Sequence, residues 1–308
     1  MPNQVISTYH IPVLLNECLE GLNIKPEGIY VDLTFGGGGH SRAILDRLNS
    51  EGQLYAFDKD KDALANSIDD DRFLLINDDY SNMSKQLRLY RVTQVDGILA
   101  DLGISSHQID TIDRGFSFRN DEPLDLRMNT SDNITAADVL NSYSEEELSN
   151  IFFSYAQIPN ARQVARILCK QRENEQINTT KQLCNILKTC TKPNIENKFF
   201  AKVFQALRIE VNNELTSLDS MLNQVASILK PGGRLVVISY HSLEDKKVKE
   251  LMRSGNTEGK IEKDFYGNVL TPYTIITKKP IVPTDEEIER NTRSRSAKLR
   301  IAEKKCDK

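Results

Sequence analysis

Short apolar runs alternate with helical spacing through roughly the first hundred residues, as βαβ units feeding a parallel sheet do. Strands are expected at residues 29–33, 53–58, 73–77 and 95–101. Ahead of them, Leu14, Leu15, Cys18, Leu19 and Leu22 recur at helical spacing. After about residue 105 the alternation stops, and the chain reads as helical to about residue 212. Ser144 with Glu147, and Thr179 with Gln182, have the spacing of capping boxes. Each precedes an apolar stripe: Leu148, Ile151, Phe152 and Tyr155 in one case, Leu183, Ile186, Leu187 and Cys190 in the other. Phe200, Val203, Phe204, Leu207 and Val211 form a third stripe, and all three suit core packing. The stripe Leu218, Met221, Leu222, Val225 and Leu229 gives one more helix, stopped at Pro231, Gly232 and Gly233 before a strand at 234–239. A polar, glycine-bearing loop is expected at 254–268, and a last strand at 273–278.

This pattern resumes after the helical stretch, so the helices read as an insertion between strands of one sheet. The expected fold is α/β, a Rossmann-like sheet of residues 1–105 and 213–308, with a mostly helical domain of residues 106–212 inserted for substrate recognition. A chain of 308 residues suits one large and one smaller domain, since single cores rarely outgrow about 250–300 residues.

Composition narrows the classes. Hydrophobic residues make up 39% and charged residues 27%, which fits a folded globular protein and excludes a disordered one. No segment spans a membrane or reads as a secretion signal, so a cytoplasmic location is expected. Cys18, Cys169, Cys184, Cys190 and Cys306 form no Cys-x-x-Cys pair, which argues against a zinc site or disulfide framework. A net charge of −4 counts against coating nucleic acid by overall charge, so any RNA contact must use local patches. The basic tail from Arg290 to Lys308 is one candidate; a solvated terminus is the equal alternative.

The chemistry concentrates at predicted strand ends. Asp32, Asp58 and Asp101 stand where the first, second and fourth strands finish, the side of an open α/β sheet on which ligands bind. Any one of them could simply cap the next helix; three together favour a site. Asp32 leads into Leu33-Thr34-Phe35-Gly36-Gly37-Gly38-Gly39-His40-Ser41, where glycines let a ligand lie against the backbone. The P-loop ending is missing, and Ser41 replaces the third glycine of the dinucleotide fingerprint. Asp58 can accept ribose hydroxyls of either NAD or S-adenosylmethionine. Asp101-Leu102-Gly103-Ile104-Ser105-Ser106 puts an acid and hydroxyls at the fourth strand end. An exocyclic base amine has its lone pair delocalised into the ring, so an enzyme that methylates it must orient it with acceptors, and needs no metal. Asp101 is placed either to orient such an amine or to hold a cofactor's methionine moiety.

Several segments together resemble one family. Glu17, Gly28 to Ser41, Asp101 to Ser106, Arg114-Gly115-Phe116-Ser117-Phe118, Pro123 to Met128, Phe204 to Ile209, Ser239-Tyr240-His241-Ser242-Leu243-Glu244-Asp245 and Arg295 to Arg300 look like the bacterial 16S ribosomal RNA cytosine-N4 methyltransferases of the RsmH (MraW) type. The resemblance runs from near one terminus to near the other. It implies S-adenosylmethionine as cofactor and N4-methylation of a cytidine in the decoding region of 16S rRNA in the small ribosomal subunit; a homodimer is one option for its assembly. It implies cofactor contacts from Gly38, Gly39, His40, Asp58, Asp101 and Gln108, with Tyr80 where the family usually has Phe beside the adenine. Asp101, Ser105 and His241 are the candidate catalytic residues, His241 as a wall of the cytosine pocket. Arg114, Phe116 and Arg127 are candidates for RNA contact, their alternative being a buried, salt-bridged corner between the domains. A DNA amino methyltransferase would usually carry Asn/Asp-Pro-Pro-aromatic where Leu102 and Gly103 stand. A nicotinamide-dependent dehydrogenase and a non-catalytic RNA-binding assembly factor are the remaining rivals.

Overall fold

The structure is a computed structural model and describes residues 12–306. Asp307 and Lys308, at the end of the basic tail, and residues 1–11, with His10 among them, lie outside the described residues. The chain divides into two compact units, Met1–Gly103 with Thr216–Lys308, and Ile104–Leu215. No helix among the described residues is long and apolar enough to cross a membrane.

In chain order the first unit opens with α1 (Leu15–Leu22), β1 (Ile29–Asp32), α2 (Gly39–Leu45), β2 (Gln53–Phe57), β3 (Phe73–Ile76), α3 (Met83–Leu89) and β4 (Val95–Asp101). The helical stretch then supplies α4 (Ser106–Asp110), α5 (Ala136–Ser142), α6 (Glu145–Ala156), α7 (Ala161–Arg172), α8 (Thr180–Leu187) and α9 (Glu196–Val211). The chain continues through α10 (Glu214–Ile228), β5 (Leu229–Ser239), α11 (Ser242–Ser254), β6 (Tyr273–Ile275), α12 (Asp285–Arg290) and β7 (Lys298–Lys304).

Among the described residues seven strands form one sheet in the order β3-β2-β1-β4-β5-β7-β6. The pairs β2–β3, β1–β2, β1–β4 and β4–β5 are parallel, whereas β7 runs antiparallel between β5 and β6. The order reverses between β1 and β4, and a crevice opens at the carboxyl ends of strands where such a reversal occurs. β4 is buried almost throughout, as a central parallel strand must be. Val31, Phe57, Ile98 and Leu235 pack with α3, α10 and α11 residues on one side. Tyr30, Leu54, Leu99 and Val236 pack with α1 and α2 residues on the other.

The basic tail is neither a solvated terminus nor a free RNA patch over its central part, because residues 298–304 form β7. Leu299 and Ile301 are buried, and the charges beside them have partners inside the unit. Arg300 donates from Nε to Asp245 Oδ1 at 2.6 Å, Arg234 donates across the β5–β7 pair to Glu303 at 2.7 Å, and Lys304 donates to the Leu229 carbonyl at 2.8 Å. The other strand ends also moved. β6 stops at Ile275, short of the expected residue 278, and β5 starts at Leu229, with a register shift opposite Val95 and Gly97.

In the helical unit the capping boxes at Ser144/Glu147 and Thr179/Gln182 are present, joined by one at Thr135/Asp138. Leu148, Ile151, Phe152, Leu183, Leu187, Phe200, Val203, Phe204, Leu207 and Val211 meet in a single core there. The stripes therefore account for packing within this unit.

Candidate active site

β1, β2 and β4 deliver their carboxylates to the same end of the sheet. Asp32 is fully buried, and burial pushes its carboxyl pKa up against the hydrogen bonds that favour the charged form. Its Oδ2 accepts from Ser41 Oγ at 2.7 Å and its Oδ1 from Thr34 N at 3.1 Å, which ties the start of α2 to the end of β1. Between them the glycine loop turns sharply, with positive φ at Gly36 (52°) and Gly38 (76°). A Cβ on Gly38 would lie 2.8 Å from the Phe35 ring, and one on Gly39 would lie 2.3 Å from Pro12 Cγ. Glycine is thus required here by the chain's own close approaches as well as by its dihedrals.

Asp58 sits just past β2. Its Oδ2 accepts from Gly36 N at 2.7 Å and its Oδ1 from Asp60 N at 2.8 Å. Burial raises its pKa to about 6, the two backbone donors only partly opposing this. Each carboxylate oxygen has a second acceptor direction, so a ribose diol can still be received. Tyr80, expected beside an adenine, is half-buried against the sheet core after Asp79, which caps the turn by accepting from Ser81 N.

Asp101 ends β4. Its backbone N donates to Thr34 Oγ1 at 2.7 Å, and its Oδ1 accepts from Tyr240 Oη at 2.8 Å. Oδ2 faces His40 Nδ1 at 3.9 Å, and the side chain keeps 23% of its exposure, so an incoming group can reach it. Burial raises the Asp101 pKa to about 6, against the opposing influence of His40 and the Tyr240 hydroxyl. Burial lowers the His40 pKa, which favours the neutral ring. With Nε2–H donating to the Val13 carbonyl at 3.2 Å, Nδ1 presents a lone pair.

The remaining expected residues make contacts within the chain. Ser105 and Gln108 bind each other as the capping box of α4: Ser105 Oγ accepts from Gln108 N, and Ser105 N donates to Gln108 Oε1 at 3.0 Å. His241 is the N-cap of α11; its Nδ1 accepts weakly from Glu244 N at 3.5 Å, and its Nε2 lies 3.1 Å from Glu244 Oε1. Arg114 is buried and donates to the carbonyls of Arg127 and Met128. Arg127 forks onto Asp125 at 2.9 and 2.6 Å and also donates to Thr130 and Asp132 carbonyls. Phe116 packs against the helical core, with the Arg114 guanidinium 6.0 Å from its ring centre. These contacts of Arg114 and Arg127 lie within the helical unit.

The residue that sequence reasoning missed is Tyr240, 139 positions from its partner Asp101. The glycine-bounded loop, the acceptor pair on Asp58 and the reachable Asp101 carboxylate together fit a nucleoside-bearing cofactor.

The MraW methylase family model matches residues 7–305. The chain belongs to this family. It is 54% identical to a ribosomal RNA small subunit methyltransferase H of Parabacteroides distasonis over 97% of this chain and 98% of the relative. A protein of the same name from Cytophaga hutchinsonii is also 54% identical, over 96% of this chain and 99% of the relative. A solved rRNA methylase of Streptococcus thermophilus is similar at a TM-score of 0.41 and 14% identity, over 95% of this chain and 94% of that one, too distant to add to the assignment. As a member of the MraW family the chain is a methyltransferase whose cofactor is S-adenosylmethionine.

Proposed function

We propose that this methyltransferase acts in the cytoplasm on the small ribosomal subunit, placing a methyl group on N4 of a cytidine in the decoding region of 16S rRNA. The observation that carries the reading is Asp101, a partly exposed carboxylate at the β4 end with one oxygen held by Tyr240 and the other 3.9 Å from His40 Nδ1. The curated relatives named above, which bear the name of small-subunit rRNA methyltransferases, support the choice of RNA.

When bound, S-adenosylmethionine supplies an electrophilic methyl group on a sulfonium centre. Asp58 would hold its ribose, the backbone at Gly38 and Gly39 would lie against it, and Tyr80 would flank the adenine. The chain's own chemistry then falls to Asp101. The cytosine amine is a poor nucleophile because its lone pair is delocalised, and an N–H donated to Asp101 Oδ2 would orient it and return electron density to nitrogen. As the nitrogen uses its lone pair, its N–H becomes acidic and the proton passes to Oδ2. A carboxylate with a pKa of about 6 accepts that proton more readily than an ordinary one while staying ionised at neutral pH. Ser105, Gln108 and His241 enter this account through the backbone they cap, and Arg114, Phe116 and Arg127 through the internal order of the helical unit.

The test is transfer from methyl-labelled S-adenosylmethionine to small subunits lacking the modification, followed by nucleoside digestion. Label in N4-methylcytidine is expected; label confined to ring carbon or ribose oxygen, or none, contradicts the proposal.

A further inference from the structure

Asp101 can orient an amine only if its carboxylate is held in one rotation and kept charged, and torsion about a terminal sp³–sp² bond is soft. We infer that Tyr240 is a positioning residue for methyl transfer, fixing the rotation and the charge of the Asp101 carboxylate. This inference rests on the role given to Asp101 above.

The hydroxyl of Tyr240 donates to Oδ1 at 2.8 Å, which leaves Oδ2, 3.9 Å from His40 Nδ1, as the oxygen able to receive a further donor. Tyr240 is itself held in place. Its backbone N donates to Glu244 Oε2 at 2.9 Å, and that same oxygen accepts from His241 N at 3.3 Å, so the start of α11 anchors the residue. On its other side lies Gly103, two residues beyond Asp101, with φ of 104° and a would-be Cβ 3.4 Å from the Tyr240 ring. A substituted residue at 103 would be strained in that conformation, while its Cβ would meet the ring at ordinary van der Waals distance, so glycine there serves the turn that brings the chain past Tyr240.

The groups facing Asp101 explain why a donor is needed. Asp32 at the β1 end and Glu244 on α11 are acidic and disfavour its charge, and the buried Cys18 thiol on α1 is neutral. His40 on α2 favours the Asp101 charge, although burial lowers its own pKa. The Tyr240 hydroxyl is the group among them that donates a hydrogen bond to the carboxylate, and burial followed by the nearby Asp101 charge raises its own pKa well above the ordinary value, so it keeps its proton. A hydrogen bond to the charged form of an acid lowers its pKa. Losing this one would therefore raise the pKa of Asp101 and remove acceptor at neutral pH.

Tyr240→Phe keeps the ring and removes the donor. The control is Tyr30→Phe, which deletes another buried tyrosine hydroxyl, the acceptor for Lys25 N at 2.7 Å beside β1. For Tyr240→Phe we expect S-adenosylhomocysteine affinity within about twofold of wild type and kcat on small subunits reduced about 10- to 100-fold. The acid limb of the kcat profile should move up by about one pH unit. Tyr30→Phe should move neither turnover nor profile. The Asp101 carboxyl carbon, followed by NMR in the ligand-free protein, should titrate higher in Tyr240→Phe by a similar amount. An unmoved carboxyl titration overturns the inference, as does an acid limb that matches the Tyr30→Phe control. If wild type fails to methylate cytidine, the functional reading falls on its own, and the carboxyl titration still decides whether Tyr240 governs Asp101.

Discussion

At Asp58 both oxygens already accept backbone N–H groups, so its part in binding depends on the second acceptor direction of each. Ribose hydroxyls donated to that charged carboxylate should contribute about 1–3 kcal/mol. Asp58→Ala is therefore expected to weaken S-adenosylhomocysteine binding by that amount in calorimetric titration; an unchanged dissociation constant would show that Asp58 only shapes the loop. The pH dependence has a definite sign. The carboxyl pKa is raised to about 6 in the free protein, and binding favours the charged form, so affinity is full above pH 6 and falls as pH drops through it. In Asp58→Ala this dependence should disappear. The three strand-end acids were legible because an acid after an apolar run marks where a strand meets the crevice. Tyr240 was not, because its contact with Asp101 depends on two strand ends being adjacent, which spacing along the chain does not encode. His241 and Ser105 also cap helices, each joined to a neighbour three residues along, with Gln108 as the partner of Ser105; these caps were not singled out in the sequence.

Among the elements, the parallel strands and the helical stripes could be read from periodicity, whereas β7 could not. Its sequence Lys298-Leu299-Arg300-Ile301-Ala302-Glu303-Lys304 alternates, but the charges around it resemble a solvated tail until their partners are seen. Arg300 joins β7 to α11 through Asp245, whose ionisation burial opposes but Arg300 and Lys298 outweigh, so its carboxyl is held below the usual range. Arg300→Ala leaves that carboxylate without its main partner and should cost about 3 kcal/mol in urea unfolding. Because the Asp245 pKa is lowered by folding, its contribution is present above the unfolded carboxylate range and is lost as pH falls below it. Arg300→Ala should therefore lose stability mainly at neutral pH and little at strongly acid pH. At the loop before α2, Gly39→Ala forces Pro12 aside from a 2.3 Å approach and should cost about 1–3 kcal/mol, read as a lowered urea midpoint.

For the molecule as a whole, the Rossmann-like class and the interruption by a helical stretch were legible because the period changes from strand-and-helix alternation to helix alone. What the sequence left open were the internal partners that occupy Arg114, Arg127 and the tail, since pairing of charges is a tertiary property. A net charge of −4 leaves rRNA binding to local surfaces, not to a global field. Cofactor choice has a whole-protein readout: S-adenosylhomocysteine at 100 times its dissociation constant should stabilise the fold by about 2.7 kcal/mol, with NADH giving no shift in the same melt. The most direct test of the central claim is position-resolved mapping of methylated cytidine in 16S rRNA from cells with the gene, without it, and with Asp101→Asn in its place. The account predicts N4-methylation at one decoding-region cytidine in the first and its loss in the other two; an unchanged methylation map in cells lacking the gene would contradict it.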